Sequence, residues 1–425
     1  MPKKSKNTRA KGGKGRIEGG SGSDDDSVFN DNASVVSMVG SETSTIQDDN
    51  QVDESSSEET FENKLKDAIE LASEKSATTR TKGLEALCQG LIKRYAPDFI
   101  EGRKATICDL VERSMKKGKG SEVQAAAKLA ILLGVQLFDC EEVYKELRPT
   151  LLQIVSDKTE SPNSRATVAS ALAGLCFLGG GELAEVVSVM KVLEGIYTLS
   201  AAKKDGSAST VSPETVVLHT SCLSGWALLS TLLTPGQIYE KINSRVSVLQ
   251  SMFTSVDVDL RITAGETMVL LLESVYDHDE DFEPENFDEL ISSLKQLATD
   301  SSKSRSKKDR KEQRSSFRDV LRGVEEGEGP NENIKFGKET LKIDSWFTKI
   351  QYDWFCKMMG AGMNYHLSVN SMLREIFELG APLNILDADG SNKLTKTQRN
   401  AANQQAFKMR TQVRSKNRDK RSAVF

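Results

Sequence analysis

Apolar side chains recur at helical intervals along most of the chain. Phe61, Leu65 and Ile69 open the pattern, followed by Leu84/Leu87/Leu91 and Ile107/Leu110/Val111. Val143/Leu147/Leu151, Leu183/Val187/Met190, Ile238/Ile242/Leu249 and Leu290/Leu294/Leu297 continue it. Spacings of three and four place such residues on one face of a helix. Breaks fall at Pro97, Ser161-Pro162, Gly179-Gly180-Gly181, Pro213, Pro235 and Pro284, where helices end. Ser56-Ser57-Glu58-Glu59 has capping-box spacing, which predicts a first helix near Thr60. From residue 59 to 326 the pattern predicts an all-α domain.

The helices also repeat. Arg80, Gln124, Arg165, His219 and Arg261 occupy one register position. Three residues on stand Gly83, Ala127, Val168, Cys222 and Ala264; seven on, Leu87, Ile131, Leu172, Trp226 and Met268; eight on, Cys88, Leu132, Ala173, Ala227 and Val269. Paired helices with a period of about 40–47 residues define an armadillo/HEAT-like solenoid, in which stacked pairs bury a continuous core. One interval is lengthened by a polar insert from Ala201 to Ser212, centred on Lys203-Lys204-Asp205-Gly206.

Beyond residue 300 the pattern changes. A basic run leads into an amphipathic helix carrying Phe317, Val320, Leu321 and Val324. Ile334/Phe336 and Leu341/Ile343 alternate around Gly337-Lys338, which predicts a short hairpin. Two helices are expected at about 347–360 and 366–379, joined at Gly360-Ala361-Gly362. Residues 334–386 therefore read as a small, mostly helical C-terminal domain. Residues 387–425 read as a tail with a basic helix, introduced by the capping spacing of Thr395 and Gln398. Its large apolar side chains are few, so that helix needs an anionic partner rather than a core.

Charge is segregated. Residues 1–17 carry seven basic and no acidic side chains, and residues 18–62 carry thirteen acidic and no basic ones. Residues 303–322 carry nine basic and three acidic, and residues 393–425 ten basic and one acidic. Residues 1–58 thus read as a disordered basic, then acidic, segment. Its serines beside acids, such as Ser23, Ser27 and Ser55, have the setting of acid-directed phosphorylation sites. The apolar share of 38% is below the roughly 45–50% of compact chains, in keeping with such segments. Six cysteines without paired spacing read as core residues of a reducing compartment. The N-terminus lacks the apolar stretch of a secretory signal, and no segment has the length and apolarity of a membrane span.

Catalytic and metal-binding motifs are absent. His219, His278 and His366 lie far apart. Lys117-Gly118-Lys119-Gly120-Ser121 resembles the end of a P-loop, but Arg113 stands at the first glycine position and no strand precedes it, so it reads as a helix–helix turn. Asp387-Ala388-Asp389-Gly390 places its glycine wrongly for an EF-hand, and Gln398 stands where a bidentate Glu is required. Neither an enzyme nor a cofactor is expected, nor a small-molecule substrate or a membrane partner. The positive signal is binding to phosphates. One cationic stretch is Lys303, Arg305, Lys307, Lys308, Arg310, Lys311 and Arg314. The other is Arg399, Lys408, Arg410, Arg414, Lys416, Arg418, Lys420 and Arg421. Arginine-rich segments of this kind suit structured RNA.

Several long motifs carry a resemblance. Ser316-Phe317-Arg318-Asp319-Val320-Leu321-Arg322-Gly323-Val324-Glu325-Glu326, Ile334-Lys335-Phe336-Gly337 and Ile343-Asp344-Ser345-Trp346 are three of them. Gly360-Ala361-Gly362-Met363-Asn364-Tyr365-His366-Leu367 and Ala406-Phe407-Lys408-Met409-Arg410-Thr411 are two more. Together they resemble the interferon-related developmental regulator family from about residue 60 to 421. That resemblance implies an armadillo-like region, a family-specific C-terminal domain and no enzymatic activity. It also implies association with translationally inactive ribosomes, the C-terminal helix blocking an rRNA-lined mRNA channel. The alternative it implies is a nuclear transcriptional co-regulator whose solenoid binds protein partners. The first reading places the protein in the cytoplasm, the second in the nucleus.

Overall fold

A computed structural model of the chain describes residues 54–180, 182–201, 211–300 and 306–382. The basic and acidic segment before residue 54, the centre of the insert, Lys303, Arg305 and the tail from 383 lie outside the described residues.

Six helical pairs follow one another: α1 (Glu54–Ser73) with α2 (Ala77–Lys93), α4 (Lys104–Lys117) with α5 (Ser121–Gln136), and α6 (Glu141–Ser156) with α7 (Pro162–Gly179). Then come α8 (Leu183–Tyr197) with α9 (Pro213–Ser230), α11 (Ile242–Ser251) with α12 (Val258–Tyr276), and α13 (Phe287–Thr299) with α14 (Lys307–Glu326). Short α3 (Pro97–Glu101) and α10 (Pro235–Tyr239) link successive pairs. The second helices α2, α5, α7, α9, α12 and α14 stack in sequence order into one row. This is the all-α solenoid that the periodicity predicts. Every residue at the third, seventh and eighth places of the repeat register is buried.

Local chemistry sets the helix ends. Ser76, Ser161, Ser212 and Asp257 accept a hydrogen bond from the third residue of α2, α7, α9 and α12, and Pro162 and Pro213 stand at first helical positions, where a missing N–H costs nothing. The register arginines share a task. Arg80 donates to the carbonyls of Glu74 and Lys75, Arg165 to Val155, and Arg261 to Ser255 and Val256. Arg80 and Arg165 thereby place a cation on carbonyls at or just beyond the end of the preceding helix, where the backbone dipoles are negative, and Arg261 places one on the connection between α11 and α12. The Ser56-Glu59 spacing is not used as a cap, because α1 already begins at Glu54.

After α14, Gly327 takes the left-handed conformation (φ 67°) and ends the helix. Strands β1 (Glu332–Phe336) and β2 (Glu339–Ile343) form an antiparallel hairpin with Ile334 opposite Leu341. Helices α15 (Trp346–Met359), α16 (Met363–Val369) and α17 (Ser371–Ile376) complete the described chain. The second of the two helices expected here is thus split at Asn370, whose side chain caps α17. Residues 334–382 of the expected small domain do not carry a core of their own. Phe336, Leu341, Trp346, Trp354, Phe355 and Leu367 belong to the same hydrophobic cluster as the repeats.

Candidate nucleic-acid interface

The C-terminal segment runs as a strap back over the row of second helices, against their sequence order. It starts on α12, where both oxygens of Glu273 accept backbone hydrogen bonds from the first turn of α15, at 2.9 Å from Trp346 N and 3.0 Å from Phe347 N. A carboxylate there complements the helix dipole. Gln351 Nε2 then donates to Thr231 Oγ1 just beyond α9 (3.0 Å). The Trp354 ring lies on Gly174 of α7, where a Cβ would overlap it. Phe355 meets Phe177 edge to face. The turn at Gly362 presses on the Ile92 carbonyl, leaving no room for a side chain.

Polar side chains fasten the far end. His366 is fully buried, and its Nε2 donates to the carbonyls of Leu91 and Ile92 (3.0 and 3.1 Å). Asn370 Nδ2 donates to the Val135 carbonyl at 2.9 Å and to His366 Nδ1 at 3.3 Å. Those bonds define the neutral Nε2–H tautomer. Burial holds the His366 pKa down at about 4, against the pull of the two carbonyls. Arg374, 1% exposed, spends its guanidinium on both oxygens of Glu339 and on the carbonyls of Leu367, Leu379, Gly380 and Ala381. It ties residues 379–381 to α16 and to the hairpin.

At the hairpin root a buried lysine is ringed by acids. Lys349 Nζ lies 2.9 Å from both Glu332 Oε1 and Asp353 Oδ2. Burial works against its charge, but Asp353, Glu266 and Glu332 hold its pKa above the ordinary lysine value. Burial pushes the Glu266 carboxyl up to about 8; Lys349 opposes this, and Asp353 and Glu332 add to it.

The first cationic stretch lies on α14, the last helix of the row. Ser306 caps it by accepting from Asp309 N (3.0 Å). Phe317, Val320 and Val324 face inward, and Gln313 accepts two bonds from the fully buried Arg261 of α12 (2.9 and 2.5 Å). Gln313 also donates to the Leu297 carbonyl, so one amide sets how α14 sits on α12 and α13. With that face fixed, Lys307, Lys308 and Lys311 are exposed, and Arg310 and Arg314 are half-buried. The exposed ammonium groups are close enough on one helix to meet several phosphates. Lys303 and Arg305 just before it, and the tail residues Arg399, Lys408, Arg410, Arg414, Lys416, Arg418, Lys420 and Arg421, lie outside the described residues.

No His/Cys/Asp/Glu cluster among the described residues could hold a metal ion. Burial pushes the Cys88, Cys108, Cys140, Cys222 and Cys356 thiols up to about 12, away from the reactive thiolate. The glycine-lysine stretch at 117–121 is the turn between α4 and α5, with Gly120 at φ 54°. No described helix is long and apolar enough to cross a membrane. Sequence reasoning passed over Arg374, Glu339, Gln351 and Asn370, because their partners are mostly backbone carbonyls and residues remote in the chain.

Fold and site together define a helical-repeat protein whose row of second helices is covered by its own C-terminal segment. Residues 32–325 match the family model described as interferon-related developmental regulator, and residues 370–422 match the interferon-related protein conserved region. The chain is 42% identical to interferon-related developmental regulator 1 of Sus scrofa over 378 residues, covering 88% of this chain and 84% of that protein. It is 40% identical to interferon-related developmental regulator 2 of Mus musculus over 379 residues, 88% of this chain and 86% of that one. The chain belongs to the interferon-related developmental regulator family.

Proposed function

We propose that this protein is a non-enzymatic ribosome-binding factor of translationally inactive ribosomes, its basic C-terminal segment lying as a helix in the rRNA-lined mRNA channel. The observation that carries this reading is the strap. It covers the row of second helices, the surface on which a helical solenoid would otherwise grip an extended protein partner. What remains for recognition is charge: the exposed lysines of α14 and the ten basic residues between 393 and 425. Such charge follows phosphates without reading sequence, and rRNA offers the densest array of them. The family name of the relatives, a regulator, agrees with a binding role.

Sedimentation of the endogenous protein through a sucrose gradient tests the reading. Co-migration with monosomes supports it, and sedimentation with chromatin instead favours the nuclear co-regulator. Reversing Arg410, Arg414 and Arg418 to Glu should abolish inhibition of a cell-free translation extract while leaving the melting of the repeats unchanged. Inhibition at the wild-type concentration by that variant would remove the channel-blocking mechanism.

A further inference from the structure

The β1–β2 hairpin sorts its charges by sign. Its register pairs Glu332 with Ile343, Ile334 with Leu341 and Phe336 with Glu339 on the inward face. Phe336, Leu341 and Ile343 are buried there. Both inward glutamates are neutralised: Glu332 by Lys349, and Glu339 by the two-pronged bond from Arg374. The alternate positions point outward. Asn333 stands opposite Lys342 and Lys335 opposite Thr340, all exposed, with Lys338 exposed in the turn. Between Glu332 and Lys342 every acid therefore faces in and every base faces out.

We propose that this outward face is a further RNA-contact surface, in which Lys335, Lys338 and Lys342 hold the phosphate backbone independently of sequence. The proposal rests on the RNA-binding reading above and adds a site outside both cationic stretches. Lys335 and Lys342 are diagonal neighbours on a two-stranded platform, ~7–8 Å apart at the backbone, so each can take a separate phosphate. Asn333 and Thr340 between them offer neutral hydrogen-bonding groups suited to sugar hydroxyls and phosphate oxygens. The face exposes no aromatic or large aliphatic side chain, which a protein hot spot or a membrane-inserting surface would need. Buried Arg374 and Lys349 hold the platform still, so little ordering cost attaches to binding. Lys342 has one competing partner, Asp344, 3.0 Å away and exposed like the lysine itself. Such a surface pair is weak and gives way readily to a phosphate.

The full-length chain carrying Lys335→Ala, Lys338→Ala and Lys342→Ala is titrated against idle ribosomes and against an RNA duplex over a range of salt. Each phosphate that a lysine no longer neutralises lowers the log–log salt slope by about 0.7–0.9, so the triple variant should be shallower by roughly 2 units on both targets. The Lys→Arg triple should keep the wild-type slope. Asp344→Asn, which frees Lys342, should bind more tightly at low salt. The three positions are exposed, so the thermal midpoint of the alanine triple should match wild type. An alanine triple that folds normally and keeps the wild-type slope on both targets overturns the proposal. So does preferential binding of wild type to phosphatidylserine vesicles, abolished in the same triple. Wild-type protein that ignores ribosomes but binds duplex through these lysines overturns the ribosomal reading and leaves the hairpin surface standing.

Discussion

Trp354 rests directly on Gly174, a contact between a rigid indole on the strap and a bare stretch of backbone in the middle of the repeats. No flexible side chain lies between them to absorb a change. Gly174→Ala should therefore push α15 off α7 at a cost of about 1–3 kcal/mol, the range for overpacking a filled core. The repeats should stay helical by circular dichroism while protease cuts the strap faster. Unchanged protease resistance of residues 346–376 would show that the ring can shift without cost.

His366 and His219 share one electrostatic situation. Burial holds both near 4, and each has a fixed acceptor or donor, His219 through Ser200 Oγ at 2.5 Å. The unfolded chain takes up these protons near pH 6.5. Their contribution is therefore complete above about pH 6.5 and is lost as pH falls toward 4. His366→Gln should cost stability at pH 7 and cost less at pH 4.5, the gap narrowing across that window in urea melts. A gap independent of pH would mean that His366 is not buried in its neutral form.

Glu266 predicts the opposite slope. Its carboxyl is pushed up to about 8 by burial, so its favourable contribution is present below the ordinary carboxylate pKa and lost as pH rises through 8. Glu266→Gln should match wild type near pH 4 and exceed it in thermal stability at pH 8.5. A less stable variant at pH 8.5 would show that pairing with Lys349 outweighs desolvation.

Within the repeats, Leu172 is fully buried at the shared register position. Leu172→Ala should lower stability by about 2–5 kcal/mol. Lys82, exposed on α2, should lose no more than about 0.5 kcal/mol on change to Ala. Calorimetry on the two variants separates a correct register from a shifted one.

The repeat register was legible because five of the six second helices restate it: three, seven and eight residues on from the shared position, the side chain is apolar or small in each of them. The hairpin was legible for a related reason, since Ile334, Phe336, Leu341 and Ile343 alternate. The path of the strap was not. Its anchors are the carbonyls of Leu91, Ile92 and Val135, and every residue has a carbonyl, so nothing in the sequence marks these three. The apolar content of residues 334–386 suits a separate domain on paper, because a core shared with distant helices has the same composition as a private one. The cationic stretch was legible as charge, but not its division on α14 into exposed Lys307, Lys308 and Lys311 and half-buried Arg310 and Arg314. That division depends on how Gln313 meets Arg261, a pairing 52 residues apart.

The bond between the Tyr95 and Ser371 hydroxyls joins residues 276 positions apart. An open array of repeats can grow by local steps, each pair docking on the one before, and it can fray from either end. A segment that returns from the last pair to the first closes the array. Loosening the first pair then disturbs the packing of the last residues of the body, so the ends melt with the middle. Closure also raises contact order, which slows folding. During vectorial synthesis the early pairs must wait, with the face that the strap will cover still open to water, until some three hundred further residues have been added.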